Sequence, residues 1–594
     1  SSPCPASGWL RVACLCGLPY TSARCLFYDS AFQYVTSEPL RRPFPALSHP
    51  SNNPSSDWNL SSSIHDRGHT MGSTYALLAL AILIGVYALN RVYWRLELSR
   101  AKHPSLQGHS KMARRVARLV PFYEFTGEAL FDCDGAPESV AVQRRQAFHA
   151  LSARLGGQGS QSGQLTSSLE QHLSDTQFIN SYRVPFQFRT AVREHLTPGM
   201  VADASSGTRI RDLDGEWHYD LSGSYGVNLF GYDFYKSCMD EGSELVRDLG
   251  PVLGVYHPLV LDNVTRIKAI SGLDEVSFHM SGTEAVMQAT RLARYHTGRT
   301  HLVRFCGAYH GWWDGVQPGI GTQRAVNDVY TLKDMDQQSL RVLRTRNDIA
   351  CVLVSPFQAL HPNSGAPGDA TLVNSGRHCE FDADRYGDWL RRLREVCTQR
   401  GIVLIFDEVF SGFRIAYGGA QEYFGIQADM VTYGKTLGGG LPVGVLCGRH
   451  QLMKRFRDDR PTDVCFARGT FNAHPYVMAA MNVFLQRIED PSIRYGYRDM
   501  RATWDRRARQ LNQALESLQL PLRIVNLASI WSVIYTRPSR YNWLFQFYLR
   551  AEGLHLSWTG TGRLIFSHNY TDSDFDAVQQ RFIAAARAME ADGW

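Results

Sequence analysis

The sequence predicts an α/β fold on a mainly parallel sheet, and three observations carry that prediction. Beyond residue 168, short apolar runs alternate with amphipathic helical stretches, the pattern of strands joined by crossover helices. Leu302–Phe305, Cys351–Val354 and Ile402–Phe406 are the clearest strand candidates. Composition is globular, with 44% hydrophobic and 20% charged residues, so a large core can form. At 594 residues the chain exceeds one ordinary domain, and no internal repeat is visible.

The first 70 residues are rich in Ser and Pro, and the first methionine is Met71. They read as sequence upstream of a start at Met71, or else as a disordered leader or precursor fragment. Residues 71–94 read as a single membrane anchor. Tyr75–Leu89 carries no charge, and Tyr75, Tyr93 and Trp94 suit the two interfaces. A buried core helix and a cleaved signal peptide compete with the anchor. A signal peptide wants its positive charge before the apolar run, and here the charge follows it.

That charge is concentrated. Between Arg91 and Arg118 eight basic residues face only Glu97, while the whole chain carries +6, so the remainder is close to neutral. The balance gives no sign of a nucleic-acid partner. Positive-inside logic places everything after Arg91 in the cytosol; a lumenal domain, with Asn263 and Asn569 as glycan acceptors, is the minority topology. Residues 95–170 form a basic juxtamembrane segment, a helix from about Glu138 to Leu155, and a Gly/Ser/Gln-rich stretch, Gly156–Ser168, that reads as a flexible linker. Eight of the twelve cysteines are scattered from Cys133 to Cys465 without ligand-like spacing, so no metal site is expected.

The chemistry gathers between Ile405 and Gly444. The run Ile402–Phe406 ends in Asp407-Glu408, and Met430–Tyr433 leads into Gly434-Lys435 and then Gly438-Gly439-Gly440. A lone lysine at a strand end, hemmed in by glycines, is what Schiff-base catalysis needs: the amine must reach a cofactor aldehyde and the backbone must come close to it. Most lysines are solvated surface charges, but this setting is a poor one for a surface helix. A carboxylate 28 residues earlier, also at a strand end, suits the partner of a pyridinium nitrogen; capping the next helix is its ordinary alternative. Ser281-Gly282-Thr283 opens a helix closed by Gly298, and its free N–H groups and hydroxyls make an anion cradle or an ordinary N-cap. Tyr309-His310-Gly311, taken alone, is an unremarkable turn.

Together these motifs resemble the class III pyridoxal-phosphate aminotransferases. Within them the stretch DEVFSGFR…GGAQ…GKTLGGGLPVG is most similar to glutamate-1-semialdehyde aminomutases. The resemblance covers roughly residues 175–594 and implies fold type I. That fold has a mainly parallel seven-stranded sheet in a large domain, residues 235–485, and a small α+β domain from residues 171–234 and 486–594. It implies pyridoxal phosphate bound through Lys435, with Asp407 on the ring nitrogen and Tyr309 stacked on the ring. Ser281, Gly282 and Thr283 hold the phosphate, and His310 and Glu408 complete the surroundings. Thr470, in RGTFN, matches a threonine that reaches the neighbouring subunit's phosphate, which implies a homodimer. Arg183 becomes the candidate for a substrate carboxylate, a surface arginine being the alternative, and Tyr225 an aromatic wall over the substrate.

Some substrate-side positions depart from the aminomutase pattern. Ser355-Pro356 stands for Glu-Pro, Leu360 for an asparagine unless Gln358 substitutes, and Gly562 for an active-site glutamate; residues 359–380 form a longer Pro/Gly-rich insertion. An intermolecular aminotransferase acting on a small-molecule amino donor and a carbonyl acceptor therefore ranks first. An aminomutase, which needs no second substrate, ranks next, and an inactive membrane-tethered scaffold is the reading from another class. The anchor itself suggests a hydrophobic or membrane-delivered substrate.

Overall fold

Seven strands form the central sheet of this computed structural model: β1 (Glu275–His279), β2 (His301–Phe305), β3 (Val329–Leu332), β4 (Ile349–Val354), β5 (Val403–Asp407), β6 (Met430–Gly434) and β7 (Gly444–Gly448). The structure describes residues 66–103, 109–155, 160–176, 184–196, 199, 201–317, 324, 326–356, 382–556 and 563–594. The sheet order is β1-β7-β6-β5-β4-β2-β3. β7 pairs antiparallel with β1 and β6, and the remaining neighbours pair parallel, so the sheet is mixed. Every residue of β4 and β5 is buried, which is why both read as unbroken apolar runs: each is covered on both faces. The helix Gly282–Thr297 lies against the sheet, starts at an N-cap serine and stops at Gly298 in the left-handed region.

Three further sheets lie outside the large one, the smallest a two-stranded antiparallel ribbon of Phe456–Arg457 and Arg460–Val464. Ala202–Ser206, Arg209–Asp212 and Trp217–Asp220 form the first small sheet, an antiparallel meander that Leu554–His555 joins in parallel. Leu522–Leu527, Ile530–Tyr535 and Arg563–Ile565 make the second small sheet, flanked by the helices Pro491–Ser517 and Asp572–Ala591.

The N-terminal helix is longer than the anchor expected from the sequence, running unbroken from Asp66 to Arg100. By length and composition its stretch Tyr75–Arg100 could cross a membrane. The chain divides into two units, residues 1–83 and 84–594. Within the second, the last turns of this helix are fastened to the helix Gln337–Thr345. Buried Glu97 pairs with Arg341 at 2.6 Å and accepts from Thr345 Oγ1 at 3.2 Å, and the Ala101 carbonyl accepts from Lys333 N at 2.8 Å.

The segment expected to be a linker is in part a helix. Its Gly/Ser/Gln composition conceals Gln161–His172, which Ser160 caps through Gly163 N. Asp214 supplies the rest of the nucleus: its carboxylate accepts from Gln161 N at 2.8 Å and Ser162 N at 3.1 Å. The helix at Glu138 ends at Arg154, one residue short of expectation.

Candidate active site

β5 and β6 lie side by side, so Asp407 and Lys435 both arrive at the carboxyl edge of the sheet, where open α/β sheets place ligands. Asp407 is buried, and three groups hold its carboxylate: Val409 N at 3.2 Å, Thr432 Oγ1 at 3.1 Å and His310 Nδ1 at 2.7 Å. The other ring nitrogen of His310 is buried and has no partner among the described residues. Glu408 turns the opposite way. It accepts from Ala420 N at 2.7 Å, Gln421 N at 3.3 Å and Ser411 Oγ at 3.2 Å, so it ties the start of the helix Gly419–Phe424 to β5. Burial pushes its carboxyl up to about 7.

Lys435 follows β6 directly with φ 49°, a left-handed conformation that a non-glycine residue adopts at a cost. Burial pulls its ammonium down from the ordinary 10.5 to about 8. The negative charge of Asp407 opposes that fall, while Arg414 and Arg563 add to it. Nζ lies 5.0 Å from the centroid of the Phe410 ring. The turn Ser224-Tyr225-Gly226 presses in from the first small sheet. A side chain at Gly226, where φ is 94°, would strike the Phe410 ring at 2.6 Å and approach Lys435 Cδ at 3.5 Å.

Ser281 accepts from Glu284 N at 3.3 Å, so Gly282 and Thr283 open the helix with its dipole aimed at the same edge. Gly282 is forced by packing, because a Cβ there would meet Val409 at 2.7 Å. Gly311, at φ 93°, lies against Thr283, which brings the Tyr-His-Gly turn onto the cradle. Tyr309 is 61% exposed, and its phenol is raised first by partial desolvation and then by the charge of Asp407. An amine, a carboxylate, an aromatic face and an anion cradle thus meet at one sheet edge, a donor set that fits pyridoxal phosphate.

Comparison with known proteins decides the family. Residues 190–316 and 384–585, more than half the chain, match the family model for class-III aminotransferases. The chain belongs to that family. A glutamate-1-semialdehyde 2,1-aminomutase from Nitratidesulfovibrio vulgaris is 32% identical over 389 residues, covering 63% of this chain and 89% of that one. The fold matches a glutamate-1-semialdehyde aminomutase structure from Pseudomonas aeruginosa with TM-score 0.61 at 18% identity, covering 76% of this chain and 99% of the other. It also matches a transaminase with PLP bound, with TM-score 0.56 at 24% identity, covering 70% and 97%. This class III chain is therefore a pyridoxal-phosphate enzyme, a transaminase or an aminomutase acting on small molecules.

The expected residues are not all gathered. Lys435, Asp407, Tyr309, His310, the Ser281-Gly282-Thr283 turn and the Tyr225 turn share the site. Glu408 backs it from below, and Thr470 stands apart on an exposed turn before the helix Pro475–Ile488. Arg183, Gln358, Leu360, Gly562 and the insertion at 359–380 lie outside the described residues. Ser355 directly follows β4, whose Val354 pairs with Phe406, so it adjoins Asp407 across the sheet.

Four residues escape the sequence reading: Phe410, Thr432, Arg414 and Arg563. Phe410 and Arg414 had a signal, since they lie inside the DEVFSGFR run; a fully buried arginine in an apolar stretch is a feature worth pursuing. Arg414 donates to Phe566 O at 3.0 Å, Gly226 O at 3.2 Å and Ser529 Oγ at 3.3 Å, locking three distant segments around the lysine. Arg563 had none; only the pairing of its strand with Ile530–Tyr535 brings it within the field of Lys435.

Proposed function

We propose that this chain is a membrane-anchored aminotransferase that moves an amino group between a small-molecule amino donor and a carbonyl acceptor, with Lys435 as the amine that holds the cofactor. The observation that carries this reading is the half-buried, desolvated Lys435 beside Asp407, whose ammonium is pulled down to about 8. Bound pyridoxal phosphate supplies an aldehyde that condenses with amines and a cationic ring that draws electrons from the substrate carbon.

The chain's own residues do the rest. Lys435 Nζ, in its neutral form, takes a proton from the substrate carbon and returns it at the neighbouring position. Asp407, fixed by His310, Thr432 and Val409 N, would set its negative charge against the ring nitrogen of the bound cofactor. Tyr309 would cover one face of the ring, and Ser281, Gly282 and Thr283 would take the phosphate at the helix start. Thr470, exposed in one subunit, completes the phosphate site of a second copy, so the working unit is a homodimer. Tyr225 walls the substrate side, Arg183 is a carboxylate contact, and Arg563 adds a positive charge that helps to lower the Lys435 amine.

Residues 75–94 hold the protein in a membrane, with the catalytic part on the cytosolic side. One glycan acceptor of the alternative topology is closed in the folded chain: Asn263 is fully buried and its amide donates to Met478 O at 2.8 Å.

The aminomutase is the second reading, favoured by the 32% identity spanning 89% of such an enzyme. Absorbance of the purified chain with pyridoxal phosphate separates the cases. A visible band that a donor amine bleaches and a carbonyl acceptor restores supports the aminotransferase. Turnover of one substrate without an acceptor supports the aminomutase. A chain that develops no band, or whose Lys435→Ala variant develops the same one, refutes both and leaves the scaffold.

A further inference from the structure

The direction in which the N-terminal helix leaves the catalytic body carries a consequence for where substrate comes from. The helix crosses the sheet edge alongside β3, running the same way as the strands. Its last residues reach the carboxyl end: the Ala101 carbonyl accepts from Lys333 N at 2.8 Å, just past the end of β3. Seven residues earlier Trp94 is at the amino end, where Arg346 packs on its ring at 4.9 Å and donates to its carbonyl at 3.4 Å. Arg346 also stacks on Tyr330, near the start of β3. The distances agree, since seven helical residues rise about 10 Å and three strand residues about 10 Å. Residues preceding Trp94 therefore run off the amino edge, and Ile84, Val86, Tyr87, Leu89 and Val92 on that stretch are all exposed. Asp407 and Lys435 lie at the carboxyl edge, about one strand length, roughly 17 Å, farther away.

A second observation lies on the same amino edge. Arg299, Arg344, Arg346 and Arg400 lie in the last helical turns and the loops that lead into β2, β4 and β5. Arg299 donates to the carbonyls of Ile349, Arg400 and Gly401, and Arg400 to Arg346 O and to Asn347. Among the described residues none of the four pairs with a carboxylate, so these hydrogen bonds leave their charge in place. Two nearby acids are neutralised, Asp328 by Arg294 at 2.8 Å and Asp429 by Arg394 at 2.9 Å; Asp348 accepts from Tyr330 at 2.6 Å and keeps its charge, one against the four arginines.

We propose that this arginine-bearing amino edge rests on an anionic phospholipid surface, with the active site turned to the opposite, aqueous side. The occupant follows from charge complementarity and from continuity with the exposed apolar helix that leaves the same edge. Its substrates then arrive from water rather than from the bilayer, as polar amino and carbonyl compounds. The inference rests on the membrane reading of residues 75–94. The Glu97–Arg341 pair and the Trp94–Arg346 contact fasten the last turns of the helix to the catalytic body.

The test uses the full chain in vesicles of phosphatidylcholine and phosphatidylserine with a headgroup-level fluorescence quencher. Labels at Gln337→Cys, the first residue of the helix Gln337–Thr345, and at Asn347→Cys, two residues past its end, mark the two edges, roughly 15 Å apart. Several-fold stronger quenching at 347 than at 337 is expected, and the difference should narrow in pure phosphatidylcholine or with Arg344→Glu. Equal quenching, or stronger quenching at 337, overturns the orientation. An asymmetry indifferent to lipid charge and to Arg344→Glu overturns the anionic contact. Flotation of the same sample isolates the anchor: a chain that floats without the asymmetry is anchored but faces otherwise, whereas one that fails to float removes the anchor and the docking with it.

Discussion

Replacing Lys435 by methionine should stabilise the cofactor-free protein while abolishing its activity. The reasoning starts from the fall of its ammonium from 10.5 to about 8, caused first by burial. Each tenfold change in proton affinity is worth about 1.4 kcal/mol. Holding the charged amine in the fold at pH 7 therefore costs about 3 kcal/mol relative to the unfolded chain, an order-of-magnitude figure. The sign follows from proton counting. Between pH 8 and 10.5 the unfolded chain binds the proton that the folded one has released, so stability rises with pH across that window. Below it the full cost is present.

Methionine keeps the length and apolar contacts of the side chain and removes the charge. Its left-handed backbone, at φ 49°, stays strained in both proteins and so cancels in the comparison. Thermal denaturation of both cofactor-free proteins, scanned at the same rate from pH 7 to pH 10, reads the difference. The Lys435→Met variant should melt a few degrees higher at pH 7, and the gap should close as pH approaches 10. A variant that melts at or below the parent temperature at pH 7, or a gap that widens with pH, would refute the account of a buried amine held against its preference.

Three other outcomes follow from the same geometry. Gly311→Ala sets a methyl against Thr283 at φ 93°, and the displaced cradle should weaken pyridoxal-phosphate binding at least tenfold in an absorbance titration, about 1.4 kcal/mol. Tyr309→Ala, at a residue 61% exposed, should leave the melting temperature of the cofactor-free protein unchanged yet raise the cofactor dissociation constant. Glu97→Ala leaves Arg341 and Thr345 without their buried acceptor and should cost about 1–3 kcal/mol of local docking, seen as faster proteolysis near residues 94–103 with unchanged catalysis.

Short-range signals made much of the site legible. Asp407, Lys435 and the serine-capped helix each announce themselves within a few residues, because a strand end, a glycine run and an N-cap are local features. What the sequence conceals is set by partners far along the chain. The helix Gln161–His172 takes its second cap from Asp214, some 52 residues on, so its composition alone reads as linker. β7 runs against its neighbours although its apolar pattern does not differ from theirs, since burial on both faces erases direction. The exit of the N-terminal helix depends on Trp94, Glu97 and Ala101 meeting residues more than 230 positions away.

The cations around Lys435 bear on what the enzyme accepts. Arg414 is fully buried, and two of its nitrogens are committed to Phe566, Gly226 and Ser529, so it serves the fold. Arg563 is half-buried, belongs to the second small sheet, and its charge helps to lower the Lys435 amine. A substrate carboxylate that reaches Arg563 would gain a charge-assisted contact that a simple amine cannot make. Amino acids should therefore be turned over with higher kcat/KM than the matching simple amines. Arg563→Gln should raise KM for the amino acid about tenfold or more, the scale of one lost charged hydrogen bond, while leaving kcat and the simple amine little changed. Equal losses for both substrates would mean that Arg563 supports Lys435 or the fold instead, and no loss for either would remove it from the site.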